Sequence, residues 1–267
     1  RGTPQSSCVP ARPAPGAMAP APSPVYKGNK APNGNDFHVG VGISALELDL
    51  FGHGFYTSGG LCLNVGTAQV AQLSTSTLSA LLPSLADLTR GTNSSVSLAI
   101  RPHQPPTFTL GRGTFKTDAM GKKTIDDPLL TVNIKDAALD FYLFMDDRNV
   151  RFMRLTTDLA LPIGLDVDAK NQIVPVLGDL GKALGNLRVT DTALLKEDPA
   201  MLAALLPRLL PALLGSVSSS IAPIALPNFM GFSLTPVQIT STAGADANLA
   251  FLGLFLKLGI APMMIAP

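Results

Sequence analysis

LLTVNIKDAALDFYLFMDDRNVRFMRLTTDLALPIGLDVDAKNQIVPVLGDL, residues 129–180, is a stretch of alternation. Leu159, Leu161, Ile163, Leu165 and Val167 take every second position, so an extended chain gathers them on one face and leaves the other to water. Asp147-Arg148-Asn149 and Asp168-Ala169-Lys170-Asn171 supply turn residues between the runs. The pattern predicts antiparallel meander strands, because parallel neighbours would need long crossover connections. Upstream, SSVSLAIRP and TFTLGRGTF are two shorter runs separated by the turn-forming HQPP.

Helical spacing brackets this β-rich middle. FHVGVGISALELDLFGHGFYTSGG starts extended and becomes helical, with Leu48, Phe51 and Phe55 on one side. Asp49, His53 and Tyr56 take the other side, and Gly59-Gly60 ends the element. After the strand LCLNVG, STSTLSALLPSLADL spaces Leu78, Leu82 and Leu85 along a second short helix. Asp198 and Pro199 then suit the N-cap and first position of a longer one. That longer helix contains ALLPRLLPALLGSVSSSIAPIALP, Ala204–Pro227, with Pro207 and Pro211 in its interior. Leu202, Leu206, Leu209, Leu210, Leu213 and Val217 fall on one stripe, and the prolines fall on the small, polar side. Interior prolines bend a helix, here with the leucine stripe inside the curve. GFSLTPVQITSTAG and ANLAFLGLFLKL close the chain as strands. The element order predicts an α+β fold with helices on one side of a curled sheet.

Of the 267 residues, 46% are hydrophobic and 15% charged, and the formal net charge is +1. So low a charged fraction leaves an unusual share of apolar surface to bury or cover. The balanced charge and the absence of Trp argue against a nucleic-acid partner, which would call for a basic stripe or stacking platforms. Residues 1–35, rich in Pro, Ala and Gly, have the composition of an extended linker or tether, so either an anchor or another domain is expected upstream. Residues 36–260 form a single expected domain, followed by a tail at 261–267. Cys8 and Cys62 fit either a disulfide joining tail to body, as in an oxidising compartment, or two unrelated thiols. NLAFLGLFLKLGIAPMMIAP is long enough to tempt a membrane reading, but Lys257 would fall mid-span, so a buried strand is expected.

Chemistry-bearing constellations are sparse. His38, His53 and His103 lack metal-ligand spacing, and the loop starting at Asp166 and Asp168 lacks the glycine and glutamate of a calcium loop. No nucleophile elbow or phosphate-binding glycine loop occurs, so neither an enzyme nor a cofactor or metal is expected.

VGVGISALELDLFGHGFYTSGGLCLNV, then LSALLPSLADL, then PLLTVNIKDAALDFYLFMDDRNVRFMRLTTDLALPI resembles one domain of the bactericidal/permeability-increasing proteins. These belong to the tubular lipid-binding superfamily with the lipopolysaccharide-binding and cholesteryl ester transfer proteins. The likeness continues through LDVDAKNQIVPVLGDL, LLPRLLPALL and IALPNFMGFSLTPVQIT, covering about residues 38–258. It implies a strongly curved antiparallel half-barrel wrapped around a long kinked helix, with acyl chains in the apolar seam. The liners it implies are Leu48, Phe51 and Phe55 of the first helix, Leu206, Leu209, Leu213 and Val217 of the long one, and Phe251 and Phe255 of the last strand. The expected function is extracytoplasmic lipid binding, for transfer or presentation, with a lipid or fatty acid as ligand. Membrane-surface contact and a homodimer that extends the groove belong to the same expectation. The low charge departs from the strongly basic tips of relatives that bind lipopolysaccharide. A second reading keeps the fold without a ligand, as a structural or protein-interaction domain of a cell-surface assembly.

Overall fold

The computed structural model describes residues 4–16, 23–68, 70, 73–121, 123–179, 181–204, 222–227, 232–244 and 249–260. In chain order, a 3-10 turn at Pro24–Lys27 leads into strand β1 (Val39–Ser44) and helix α1 (Ala45–Thr57). Next come β2 (Leu63–Val65), α2 (Thr75–Leu78), α3 (Pro83–Leu88), β3 (Val96–Pro102) and β4 (Thr107–Leu110). β5 (Thr114–Thr117) and β6 (Lys123–Asp127) form a hairpin. β7 (Leu130–Met145), β8 (Arg148–Val167), β9 (Ile173–Leu177) and β10 (Leu184–Asp191) complete the middle, and β11 (Phe232–Ala243) and β12 (Leu249–Ile260) close the chain.

The spine is the antiparallel pair β7–β8, 16 and 20 residues long. Asp146 and Asp147, both at positive φ (49° and 58°), make the tight two-residue turn between them, a geometry whose twist matches that of the flanking strands. Each strand is long enough to carry two partners end to end. β3 and then β4 pair along β7, and β10 and then β9 pair along β8. With β2 on β3, this is one large curled sheet, ordered β10-β8-β7-β3-β2. A second antiparallel sheet, β1-β12-β11, holds both ends of the domain.

The expected α+β half-barrel wrapped around a long kinked helix is therefore corrected: the protein is mostly β, and its described helices are short. α1, the longest named helix, has 13 residues and lies on β1 and β4 rather than inside the curl. The apolar face of the large sheet is instead covered at one end by the short segments between β2 and β3. Leu73, Leu78, Leu82 and Leu85 pack there on Val96, Leu98, Phe141, Leu143, Phe152, Met153 and Leu155. A helical turn at 199–204 joins them through Leu202. Asp198 caps that turn, accepting from the Ala200 N–H at 2.7 Å. The rest of the proline-bearing stretch, 205–221, lies outside the described residues.

A smaller core forms on the second sheet. Phe255 is fully buried between Tyr26 (stacked, centroids 5.5 Å) and Phe37 (edge-on, 5.0 Å). The floor under Tyr26 is the facing pair Gly42 and Gly253. A Cβ on Gly42 would meet the Tyr26 ring at 2.7 Å, so the close approach requires glycine. The Pro- and Ala-rich N-terminal segment is also held to the body. The Ser6 N–H donates to the Thr57 carbonyl at the end of α1, Val9 is buried, and a disulfide joins Cys8 to Cys62.

Candidate functional site

Along the first half of β7 and the second half of its antiparallel partner β8, the concave face of the large sheet is left uncovered by α2 and α3 and encloses an apolar cavity of about 230 Å³. Its lining alternates along every strand: Leu63 and Val65 from β2, Leu98, Ile100 and Pro102 from β3, Leu159 and Leu161 from β8. β7 contributes Ile134, Ala137 and Leu139. The three-residue step from Ile134 to Ala137 is a bulge: Ile134 faces Leu159 and Ala137 faces Thr157, so β7 carries one residue more than β8. Without it the side chains beyond residue 136 would point to the wrong face. Leu61, Leu177 and Leu184 complete the described lining, which contains no titratable side chain.

Of the predicted site residues, Leu48, Phe51, Phe55, Phe251 and Phe255 are not part of this described lining. Leu48 is half-buried, whereas Phe51 and Phe55 stack on each other in solvent, 70% and 47% exposed. The inward side of α1 is the one that reads as polar. Asp49 accepts from the Phe108 N–H at 2.9 Å, and His53 Nε2 lies 3.1 Å from the Arg12 carbonyl. The Tyr56 hydroxyl, fully buried, donates toward the carbonyls of Pro10 and His103 at 2.7 and 3.1 Å. Burial pushes its phenol up from the ordinary value. Between them Gly52 lets Phe108 and Pro106 come so close that a Cβ would sit 2.6 Å from the Phe108 ring. Phe251 and Phe255 belong to the small core, packed on Tyr26. Leu206, Leu209, Leu213 and Val217 lie outside the described residues.

The cavity is thus built from residues that strand alternation marks as dry, Leu159 and Leu161 among them, and not from the phenylalanines. The signal was present in the sequence as the dry face. What alternation does not carry is which part of that face α2 and α3 cover. Among the described residues, no cluster of His, Cys, Asp or Glu could hold a metal ion, and no helix is long and apolar enough to cross a membrane.

No family model and no curated protein matches the chain in sequence. Among solved structures it is similar to a crystal structure of lipopolysaccharide binding protein, at 11% identity and a TM-score of 0.43. The match covers 75% of this chain and 40% of that one.

Proposed function

We propose that this chain is a non-catalytic, extracytoplasmic lipid-binding module that takes an acyl chain into the apolar cavity of the large sheet. The observation that carries the reading is the cavity itself, concave and lined by apolar side chains from β2, β3, β7 and β8. Ligand sites are concave and mostly apolar, and about 300–1,000 Å³ is usual. At about 230 Å³, this one suits one chain segment rather than a whole lipid. The headgroup then stays at the rim, and the module presents its ligand or passes it on. The Cys8–Cys62 disulfide supports an oxidising compartment. No cofactor is needed for such a role.

The modest volume, together with phenylalanines packed into a side-chain core, favours one further reading: a ligand-free structural or interaction domain at a cell surface. Two measurements separate the readings. Solvent extraction of the purified protein followed by mass spectrometry should yield lipid, and a fluorescent fatty acid should be taken up. Leu161→Lys, which places an ammonium group in the cavity, should abolish uptake while leaving the melting transition cooperative. If the wild-type protein contains no lipid and takes up no fatty acid, the structural reading replaces the lipid-binding one.

A further inference from the structure

Strand alternation gives the large sheet a second face, and it is not empty. Opposite the apolar cavity lies an open polar depression of about 570 Å³, flanked by Arg151, Arg154, Arg188, His103, Asp136 and Asp191, with Thr156 at its floor. Two irregularities gather the arginines. Phe141 faces Met153 but Tyr142 faces Arg151, so Phe152 is an extra residue in β8. Arg154 therefore faces Asp140 while Arg151 faces Tyr142, and these two arginines share the outward face although three apart. A second extra residue in β10 brings Arg188 directly opposite Thr156. On its other side Thr156 faces Ala138, whose small side chain leaves the floor low.

The ion pairs are unequal. Asp140, wholly buried, is clamped by Arg154 through two bonds of 2.6 and 2.7 Å. Arg151 sits 2.8 Å from Asp191 and 3.6 Å from Asp140. These contacts hold Arg151 and Arg154 in place. Arg188 is different: 70% exposed, it comes within only 4.0 Å of Asp136, whose carboxylate also meets His103 at 3.1 Å. An exposed pair at that separation contributes almost nothing, so the Arg188 guanidinium is available. Thr156 supplies the independent observation. The residue is 8% exposed, and its Oγ1 is buried without any hydrogen-bond partner. A buried polar atom left unpaired in a native fold marks a missing partner. Valine has the same branched shape and no hydroxyl to satisfy, so folding alone gives no reason for threonine here.

We propose that this depression binds a phosphate group, with Arg188 and Arg151 donating from the walls and the Thr156 hydroxyl, buried until its side chain rotates about χ1, turning outward to donate from the floor. Guanidinium groups match phosphate oxygens in geometry and charge, and a phosphate oxygen is the acceptor that a lone hydroxyl lacks. Three arginines stand against Asp136, Asp140 and Asp191, with Asp158 also acting on Arg188, so no surplus positive charge is left for a polyanion and the proposed occupant is a single phosphate group. The site faces away from the apolar cavity, so it is not the headgroup position of a chain held there. It stands whether or not that cavity takes lipid.

The test uses the intact protein with wild type, Thr156→Val and Arg188→Gln. Inorganic phosphate, titrated against chloride at equal ionic strength, should raise the melting temperature and give a saturable calorimetric isotherm. Cosedimentation with phosphatidylcholine vesicles, with and without phosphatidic acid, forms the second arm. Binding in the first arm alone identifies a soluble phosphate ligand; binding to phosphatidic acid identifies a lipid headgroup. Each variant should weaken whichever binding is seen by about tenfold, while Thr156→Val without ligand melts no lower than wild type. Absence of binding in both arms overturns the proposal. So does unchanged binding by Thr156→Val, which would assign the orphan hydroxyl to water.

Discussion

Asp158 acts on two strands at once. Its Oδ1 accepts from the Asp136 N–H at 2.9 Å, and its Oδ2 accepts from the Asn186 side-chain amide at 2.6 Å. Asp136 and Asn186 both have positive φ, 52° and 50°, and each lies in the bulge of its strand, β7 or β10. One carboxylate on β8 thus fixes the irregularity on either side of it. The Asp136 N–H, then the Asn186 amide, hold its carboxyl below the usual aspartate range. A depressed folded value means that the stabilisation is complete above the unfolded value near 4 and disappears as pH falls through the folded one. Asp158→Ala should therefore cost about 1–2 kcal/mol at pH 7, on the low side of bonds to a charged group because the residue is half-buried. In urea titrations the gap between wild type and variant should be constant above about pH 4 and narrow below it. A gap independent of pH would show that the carboxylate charge plays no part. None of this is visible in LTTDLA or KDAALD, where an aspartate in an alternating strand reads only as a solvated position.

At the scale of elements, α1 owes its start to sequence-local chemistry and its position to contacts far along the chain. Ser44 and Glu47 form a reciprocal capping box: the Ser44 hydroxyl accepts from the Glu47 N–H at 3.1 Å, and the Glu47 carboxylate accepts from the Ser44 N–H at 2.7 Å. Ser44→Ala should cost about 1 kcal/mol, read as a lower urea midpoint. The helix and its end at Gly59-Gly60 were legible in the chain; which side faces inward was not. Phe51 and Phe55 look like an inward stripe, but the partners of Asp49, His53 and Tyr56 are backbone groups of residues 108, 12, 10 and 103. Composition likewise hid the role of the N-terminal segment, because its contacts are mostly backbone bonds and one covalent link. The disulfide closes a separation of 54 residues; loop entropy at that length gives about 4 kcal/mol, the upper end of the about 2–4 kcal/mol that a disulfide typically contributes. Cys8→Ser with Cys62→Ser should lower stability by that amount and open residues 4–16 to proteolysis while the β7–β8 region stays protected. Equal protection of the tail in wild type and variant would mean that Tyr56 and the Ser6–Thr57 bond suffice to hold it.

For the whole molecule, the deciding feature is how one curled sheet divides its concave face. Around Phe141, Leu143, Phe152 and Met153 the face is filled by α2, α3 and Leu202; around Ile134, Ala137, Leu159 and Leu161 the described residues leave a cavity. Filled and hollow halves of one apolar surface answer differently to added volume. In the filled half an extra methylene strains a close-packed core. In the hollow half it restores contacts that the empty space denies to its lining. Ala137, fully buried and on the cavity wall, tests this directly. Ala137→Val adds two carbon atoms at a strand position that suits a β-branched residue. Unliganded protein should be stabilised by about 0.5–1 kcal/mol, as other cavity-filling changes are. Thermal melts of delipidated protein, paired with fatty-acid uptake, give the two readouts. The variant should melt a few degrees higher and bind less fatty acid, so the signs for stability and for binding are opposite. A variant that is both less stable and unimpaired in uptake would place the ligand away from this wall, because filling the space would then have strained the fold without competing with a chain.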